Sequence, residues 1–313
     1  MTDRTLKVME GIASDKKASS KFLRIQRSIA AFPILAAYFI IGSYFTRFNF
    51  FHLNFVLGGV ALYLISVAVN GYNNLFDIEE DKLAISSGIL KANYLLKEFT
   101  WNQIKWNFIL TSIALVFVVV LIGNLEFIAL CAFTYALGII YTRPIRLKNR
   151  PLIGTLSNTV GFSILPVLSC YFLLNGDLKT SMAFILSIFL PTFSSCLIAE
   201  IADREIDRKI GTRTTANWLG ERAKTVIKAD LIFSVVLYLV ALYINWAVVL
   251  VAPFVVAILY ETYKLYRDFT DKKADYTLIK IGANVSRGFI IYVLIVLILH
   301  VAAPALLPTI FYT

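Results

Sequence analysis

Apolar runs recur along this chain from residue 28 to the C-terminus, broken by short polar stretches. A membrane span needs about 20 mainly apolar residues. On that measure the pattern predicts helices near 28–46, 53–76, 106–123, 125–141, 152–174, 181–201, 226–244, 246–263 and 283–305. Gly123-Asn124 and Asn245-Trp246 are read as tight turns between consecutive spans. The expectation is an all-α polytopic membrane protein, with nine transmembrane helices bundled around a central cavity under a cytoplasmic polar cap.

Composition supports this. Hydrophobic residues make up 58% of the chain, charged residues 16%, and mean hydropathy is +0.74, which excludes an ordinary soluble domain. No long soluble segment separates the runs, so residues 28–313 are expected to form a single transmembrane domain. Residues 1–27 are basic and polar, and no small-residue cleavage site follows, as expected of a cytoplasmic leader to an uncleaved first span.

The net charge of +10 reports topology, not a nucleic-acid partner. Lys and Arg number seven in 1–27, four in 76–105, four in 142–150, seven in 201–228 and six in 263–287, which is 28 of the 30 in the chain. Only Arg47 and Lys179 fall in the alternate loops. By the positive-inside rule, the N-terminus and the basic loops are cytoplasmic and the C-terminus is outside. Cys131, Cys170 and Cys196 lie singly in apolar segments, and His52 and His300 are far apart, so neither type forms a metal-binding pattern.

Eight of the twenty carboxylates fall in the windows 77–81 and 200–207, at the mouths of two spans, where acids are costly unless something positive neutralises them. Asn73, Asp77 and Asp81 are spaced i, i+4, i+8, which on a helix stacks three oxygen-bearing side chains on one face. Such a row suits Mg²⁺, a hard ion that takes few protein ligands and shares the rest with phosphate and water. A solvated helix end is the plainer account, and it suffices for Glu79 and Glu80. Asp203 and Asp207 repeat the i, i+4 geometry with Glu200 one turn earlier, although Arg204 and Arg208 are equally placed to form intrahelical ion pairs. The order of apolar helix, acidic cluster and polar loop occurs around 77–105 and again around 203–228, which suggests two pseudo-symmetric halves facing a cavity.

Between the clusters, Arg143, Arg146, Lys148 and Arg150 place four cations in eight residues. An ordinary membrane anchor accounts for Arg146 and Arg150. Cations beside two metal-binding acid clusters are also what a diphosphate needs, since metal ions do not neutralise every oxygen. Gly211-Thr212-Arg213-Thr214-Thr215 follows the second cluster; Gly211 suits a helix end, and its hydroxyls and Arg213 suit either phosphate contact or capping of the next helix.

These residues resemble the UbiA superfamily of intramembrane prenyltransferases. The first signature, N-D-x-x-D-x-x-x-D, is matched from Asn73 to Asp81 with Asn74 in place of the first Asp. The second, D-x-x-x-D with a following G-x-R-T, is matched by Asp203, Asp207, Gly211, Arg213 and Thr214. A family Tyr and a downstream basic residue at the end of the fourth helix correspond to Tyr141 and Lys148. Ser87-Gly88 is present without the Arg-Pro pair that precedes it in many aromatic-acceptor members.

The resemblance implies a polyprenyl diphosphate donor in the bilayer and Mg²⁺ held by Asn73, Asp77, Asp81, Asp203 and Asp207. Diphosphate contacts are implied for Asn73, Lys148, Arg143 and Arg213, with Tyr141 and Lys148 joining the four aspartates in catalysis. The implied reaction is prenyl transfer to a lipophilic acceptor, whether aromatic, quinone-type or a carotenoid or other lipid. Two alternatives stand beside it: a membrane terpene cyclase acting on the donor alone, and a cation-coupled transporter whose intramembrane acids bind ions.

Overall fold

The computed structural model describes residues 28–78, 82, 99–209 and 211–267, and among these it is helical with no strand. Eight long helices follow one another: α1 Ser28–Phe45, α2 Leu53–Phe76, α3 Trp101–Ile122, α4 Leu125–Thr142, α5 Ile153–Leu173, α6 Leu178–Lys209, α7 Arg222–Ile244 and α8 Ala252–Arg267. Six of them, α2 to α7, are long and apolar enough to cross a membrane, and Pro33–Phe45 in α1 is a shorter apolar stretch. Predicted span 283–305, segment 1–27 and Asp81 lie outside the described residues.

Local chemistry explains the boundaries. Thr100 caps α3 in a reciprocal box with Gln103, so the helix starts at Trp101, several polar residues before the predicted 106. Gly123, at φ +68°, terminates α3 in a left-handed conformation, and the Asn124 side chain accepts from the Phe127 N–H at 2.7 Å to start α4. Two predicted spans differ in detail. The 152–174 run contains a π-helical turn at Val160–Ile164, and the 246–263 run begins as a 3₁₀ helix at Trp246–Val251 before α8. α6 continues beyond its apolar stretch to Lys209, which carries Asp203 and Asp207 on regular helix.

α2 packs against α1, α3 and α4, while α6 packs against α7 and α8. α5 touches α1, α2 and α4 on one side and α6 on the other, making it the seam between the two groups. Ile41, Phe127, Val167, Phe184 and Val248 are fully buried where these helices meet. Close approach depends on small residues: a Cβ on Gly138 of α4 would stand 2.4 Å from Val69 Cγ2 of α2, and one on Gly58 would stand 2.1 Å from the Tyr38 hydroxyl. The outer faces are apolar, with Phe117 and Val120 of α3 and Phe233 of α7 at least 60% exposed. Such bands are stable against hydrocarbon and not against water.

Candidate active site

Antiparallel connection of successive helices brings the C-termini of α2, α4 and α6 to the same end of the bundle as the N-termini of α3, α5 and α7. The polar motifs gather there. α2 ends at Phe76, so Asp77 is its C-terminal cap rather than an interior helical residue; its N–H still donates to the Asn73 carbonyl at 2.9 Å, which keeps the two on successive turns. Asn73 Oδ1 accepts a hydrogen bond from the Thr142 hydroxyl at 2.8 Å, joining the end of α2 to the end of α4. Asn74, where the first signature departs from its usual Asp, is buried.

Lys148, on the connection between α4 and α5, forms an ion pair with Asp77 across 71 residues of sequence. The two side chains are only 12% and 14% exposed, so the pair sits in a partly dehydrated pocket where charge interactions are stronger than on an open surface. The connection is tightly built. Arg146 adopts φ +57°, Leu147–Asn149 forms a 3₁₀ turn, and Gly154 backs directly onto it: a Cβ there would lie 2.9 Å from the Leu147 carbonyl and 3.1 Å from Lys148 Cα. Glycine is what this approach permits.

Tyr141, the penultimate residue of α4, accepts a hydrogen bond from Asn158 Nδ2 of α5 at 2.9 Å.

Asp203 and Asp207 occupy the last turns of α6 and are half-buried. Arg204 pairs with Glu221, with Nη1 3.4 Å from Oε1, across the connection between α6 and α7. α6 stops at Lys209, Gly211 adopts φ +74°, and the Thr212 N–H donates back to the Asp207 carbonyl at 2.7 Å. Thr214 caps a short helix, Thr215–Leu219, accepting from the Asn217 N–H at 3.3 Å, so of the two roles open to this hydroxyl the structure displays capping. Arg143 and Arg213 are both exposed at this end.

Glu200 was recognised in the sequence only by its register with Asp203. In the structure it accepts from the Thr155 hydroxyl at 2.5 Å and from the Ala216 N–H at 3.1 Å. Thr142, Thr155 and Asn158 are site neighbours that sequence reasoning missed. Their only signal was a polar side chain in or beside an apolar span, which must find a partner within the bundle.

Among the described residues no three His, Cys, Asp or Glu side chains lie close enough to share a metal ion; Asp81 is not among them. The oxygens that are present nonetheless suit Mg²⁺. That ion takes one or two carboxylates and completes its shell with phosphate and water, and the Asp77 carboxylate already faces a cation, the Lys148 ammonium.

The fold has solved counterparts. A UbiA homologue from Archaeoglobus fulgidus, solved with DMAPP and Mg²⁺, superposes with a TM-score of 0.69 at 20% identity, covering 88% of this chain and 99% of that one. An apo UbiA homologue from Aeropyrum pernix K1 gives 0.64 at 17% identity, covering 85% and 98%. A digeranylgeranylglyceryl phosphate synthase gives 0.55 at 18%, covering 87% and 96%. No curated protein sequence matches the chain. Residues 30–285 match the UbiA prenyltransferase family, and the two acid-bearing helix ends joined through α5 fall inside that match; the protein belongs to this family of integral-membrane enzymes.

Proposed function

We propose that the protein transfers the prenyl group of a polyprenyl diphosphate to a lipophilic acceptor within the membrane. The observation that carries this reading is the Lys148–Asp77 ion pair: a cation and a hard oxygen ligand held together in a dehydrated pocket at the mouth of an apolar bundle. The Archaeoglobus fulgidus homologues were solved with DMAPP or GPP together with Mg²⁺, which supports the same donor class here.

In this reading Asp77, Asp81, Asp203 and Asp207, with Asn73, hold Mg²⁺, which when bound supplies Lewis-acid neutralisation of the diphosphate oxygens. Lys148 faces the oxygen that leaves carbon, and Arg143 and Arg213 reach the outer oxygens. As the allylic C–O bond breaks, both electrons pass to the diphosphate oxygen, and Lys148 stabilises the charge that gathers there. The electron-poor carbon lies toward the ring of Tyr141, whose orientation is set by Asn158 and whose face attracts positive charge by about 0.5–2 kcal/mol. The acceptor's electron pair then forms the new bond to that carbon, and the proton it loses passes to the released diphosphate. The apolar helices exclude water that would quench the carbocation.

The proposed topology has nine spans, with the polar end and residues 1–27 in the cytoplasm, the C-terminus outside, and residues 28–313 as one domain. Support comes from the loop charges and from the gathering of Asp77, Lys148, Glu200 and Thr215 at one end.

The test is incubation of the purified protein in lipid with labelled geranylgeranyl diphosphate, Mg²⁺ and a panel of aromatic and lipid acceptors. Diphosphate release with a prenylated acceptor is expected. A cyclised hydrocarbon formed without acceptor would replace transfer by cyclisation, and absence of diphosphate release with every donor would overturn the reading.

A further inference from the structure

Glu200 is a carboxylate at the membrane boundary whose surroundings are neutral donors. Oε1 takes the Thr155 hydroxyl of α5, and Oε2 takes the Ala216 N–H of the short helix that follows the 211–214 loop. Thr155 and Thr215 also join hydroxyl to hydroxyl, and the Thr215 hydroxyl accepts the Leu152 N–H at 2.9 Å. Three segments of the chain therefore converge on one side chain: the end of α6, the start of α5, and residues 215–216.

The start of α5 is held in an unfavourable conformation. Leu152 lies at φ +65°, ψ −49°, with the Ile153 N–H turned back to the Pro151 carbonyl at 2.8 Å. A leucine persists there only where its neighbours over-determine it. Thr215 and Glu200 supply that constraint from either side of Gly154, through Leu152 and Thr155. Gly154 is the residue that backs onto Leu147 and Lys148. On the other side of Glu200, residues 215 and 216 directly follow Arg213 and Thr214.

We infer that Glu200 is a positioning residue rather than a metal ligand: with both oxygens engaged by protein donors, it holds Lys148 and Arg213 in register with Asp203 and Asp207. It acts through the Thr155–Thr215 contact and the packing of Gly154 on Lys148. This rests on the prenyl diphosphate reading of the site, and it adds how the cations of one connection are held against the acids of another.

The experiment uses the full chain in lipid nanodiscs and measures three quantities: turnover of geranylgeranyl diphosphate, the Mg²⁺ concentration for half-maximal turnover, and calorimetric binding of inorganic pyrophosphate with Mg²⁺. Glu200→Gln keeps the shape but lacks one of the two acceptor oxygens. It is expected to lower kcat/KM and weaken pyrophosphate binding by about 10- to 100-fold, as losses of residues supporting a site typically do. Its Mg²⁺ requirement is expected to stay within about twofold of wild type, whereas Asp203→Asn raises it. Thr155→Val should reproduce the loss, and adding it to Glu200→Gln should cost little more, because the two act as one unit.

A Mg²⁺ requirement raised by Glu200→Gln as far as by Asp203→Asn would make Glu200 a ligand and overturn the inference. Wild-type pyrophosphate affinity in both Glu200→Gln and Thr155→Val would overturn it as well. If Glu200→Gln does not fold, Thr155→Val alone decides by the same two readouts. Wild-type protein that binds pyrophosphate but turns over no donor would defeat the prenyl transfer reading, while the binding comparison would still decide the role of Glu200.

Discussion

Lys148 and Asp77 pair at the polar end of the bundle, although one belongs to the connection after α4 and the other caps α2. Each side chain is nearly enclosed, so neither charge has water in sufficient amount to replace its partner. The catalytic expectation is unequal between them. Asp77→Ala should abolish turnover while the protein remains in the membrane, and Lys148→Met should lower kcat by about 10²–10³-fold, the loss typical when one stabiliser of a developing oxyanion is removed. Thermal melts of the singles and of Asp77→Asn/Lys148→Met should show the double variant less destabilised than the sum of the singles, with a coupling of about 1–3 kcal/mol. Strict additivity would mean the pair is not formed in the membrane.

The second acid pair makes a separate prediction. Chelation of Mg²⁺ should stop turnover reversibly, and Asp207→Ala should stop it irreversibly, with the variant still extractable from membranes as a monodisperse protein. Near-wild-type turnover by Asp207→Ala would remove α6 from the metal site.

Tyr141 presents a hydroxyl fixed by Asn158 and a ring with an attractive face. Tyr141→Phe keeps the ring and is expected to lose less than about tenfold in kcat, whereas Tyr141→Ala loses the cation–π contribution as well and should fall further. Asn158→Leu should resemble Tyr141→Phe if its part is only to orient the hydroxyl. Steady-state kinetics on the three variants distinguish these outcomes.

Packing between α2 and α4 offers a stability test that does not touch the chemistry. The Cβ of Gly138→Ala would overlap the branched end of Val69 and is expected to cost about 1–3 kcal/mol, seen as a lower melting temperature. Val69→Ala in the same chain removes both methyl groups that stand in the way, and the double variant should recover most of that loss. Failure of Val69→Ala to help would place the cost elsewhere.

The spans of α2 and α4 were legible because hydropathy is a property of a short window and each run is bounded by polar residues or a turn such as Gly123-Asn124. The ends of α3 and α6 were less so. Thr100 and Gln103 start α3 among polar residues, and α6 runs eight residues beyond the apolar stretch, which ends at Ile201, only because helical hydrogen bonding continues there until Gly211 turns the chain. The π-turn at Val160–Ile164 leaves no mark on hydropathy at all.

Of the site, the acids and the basic connection stood out as charges in an apolar chain; the i, i+4 spacing carried the local geometry of Asp203 and Asp207 on α6, whereas Asp77 caps α2 instead of continuing it. Thr155, Asn158 and Thr142 did not stand out. A lone hydroxyl or amide in a span has many possible partners until helix rotation and packing leave one within hydrogen-bond reach.

The amino-acid sequence by itself determined that the chain enters the bilayer repeatedly and that its acids and cations gather at the span ends, because burial of apolar area and exclusion of charge act residue by residue. Tertiary structure alone decided that Lys148 meets Asp77, that Asn158 holds Tyr141 and that Glu200 joins three segments. Those pairings depend on how α5 lies between α4 and α6, and a hydrogen bond that forms or fails within an ångström is set by that packing rather than by any local run of residues.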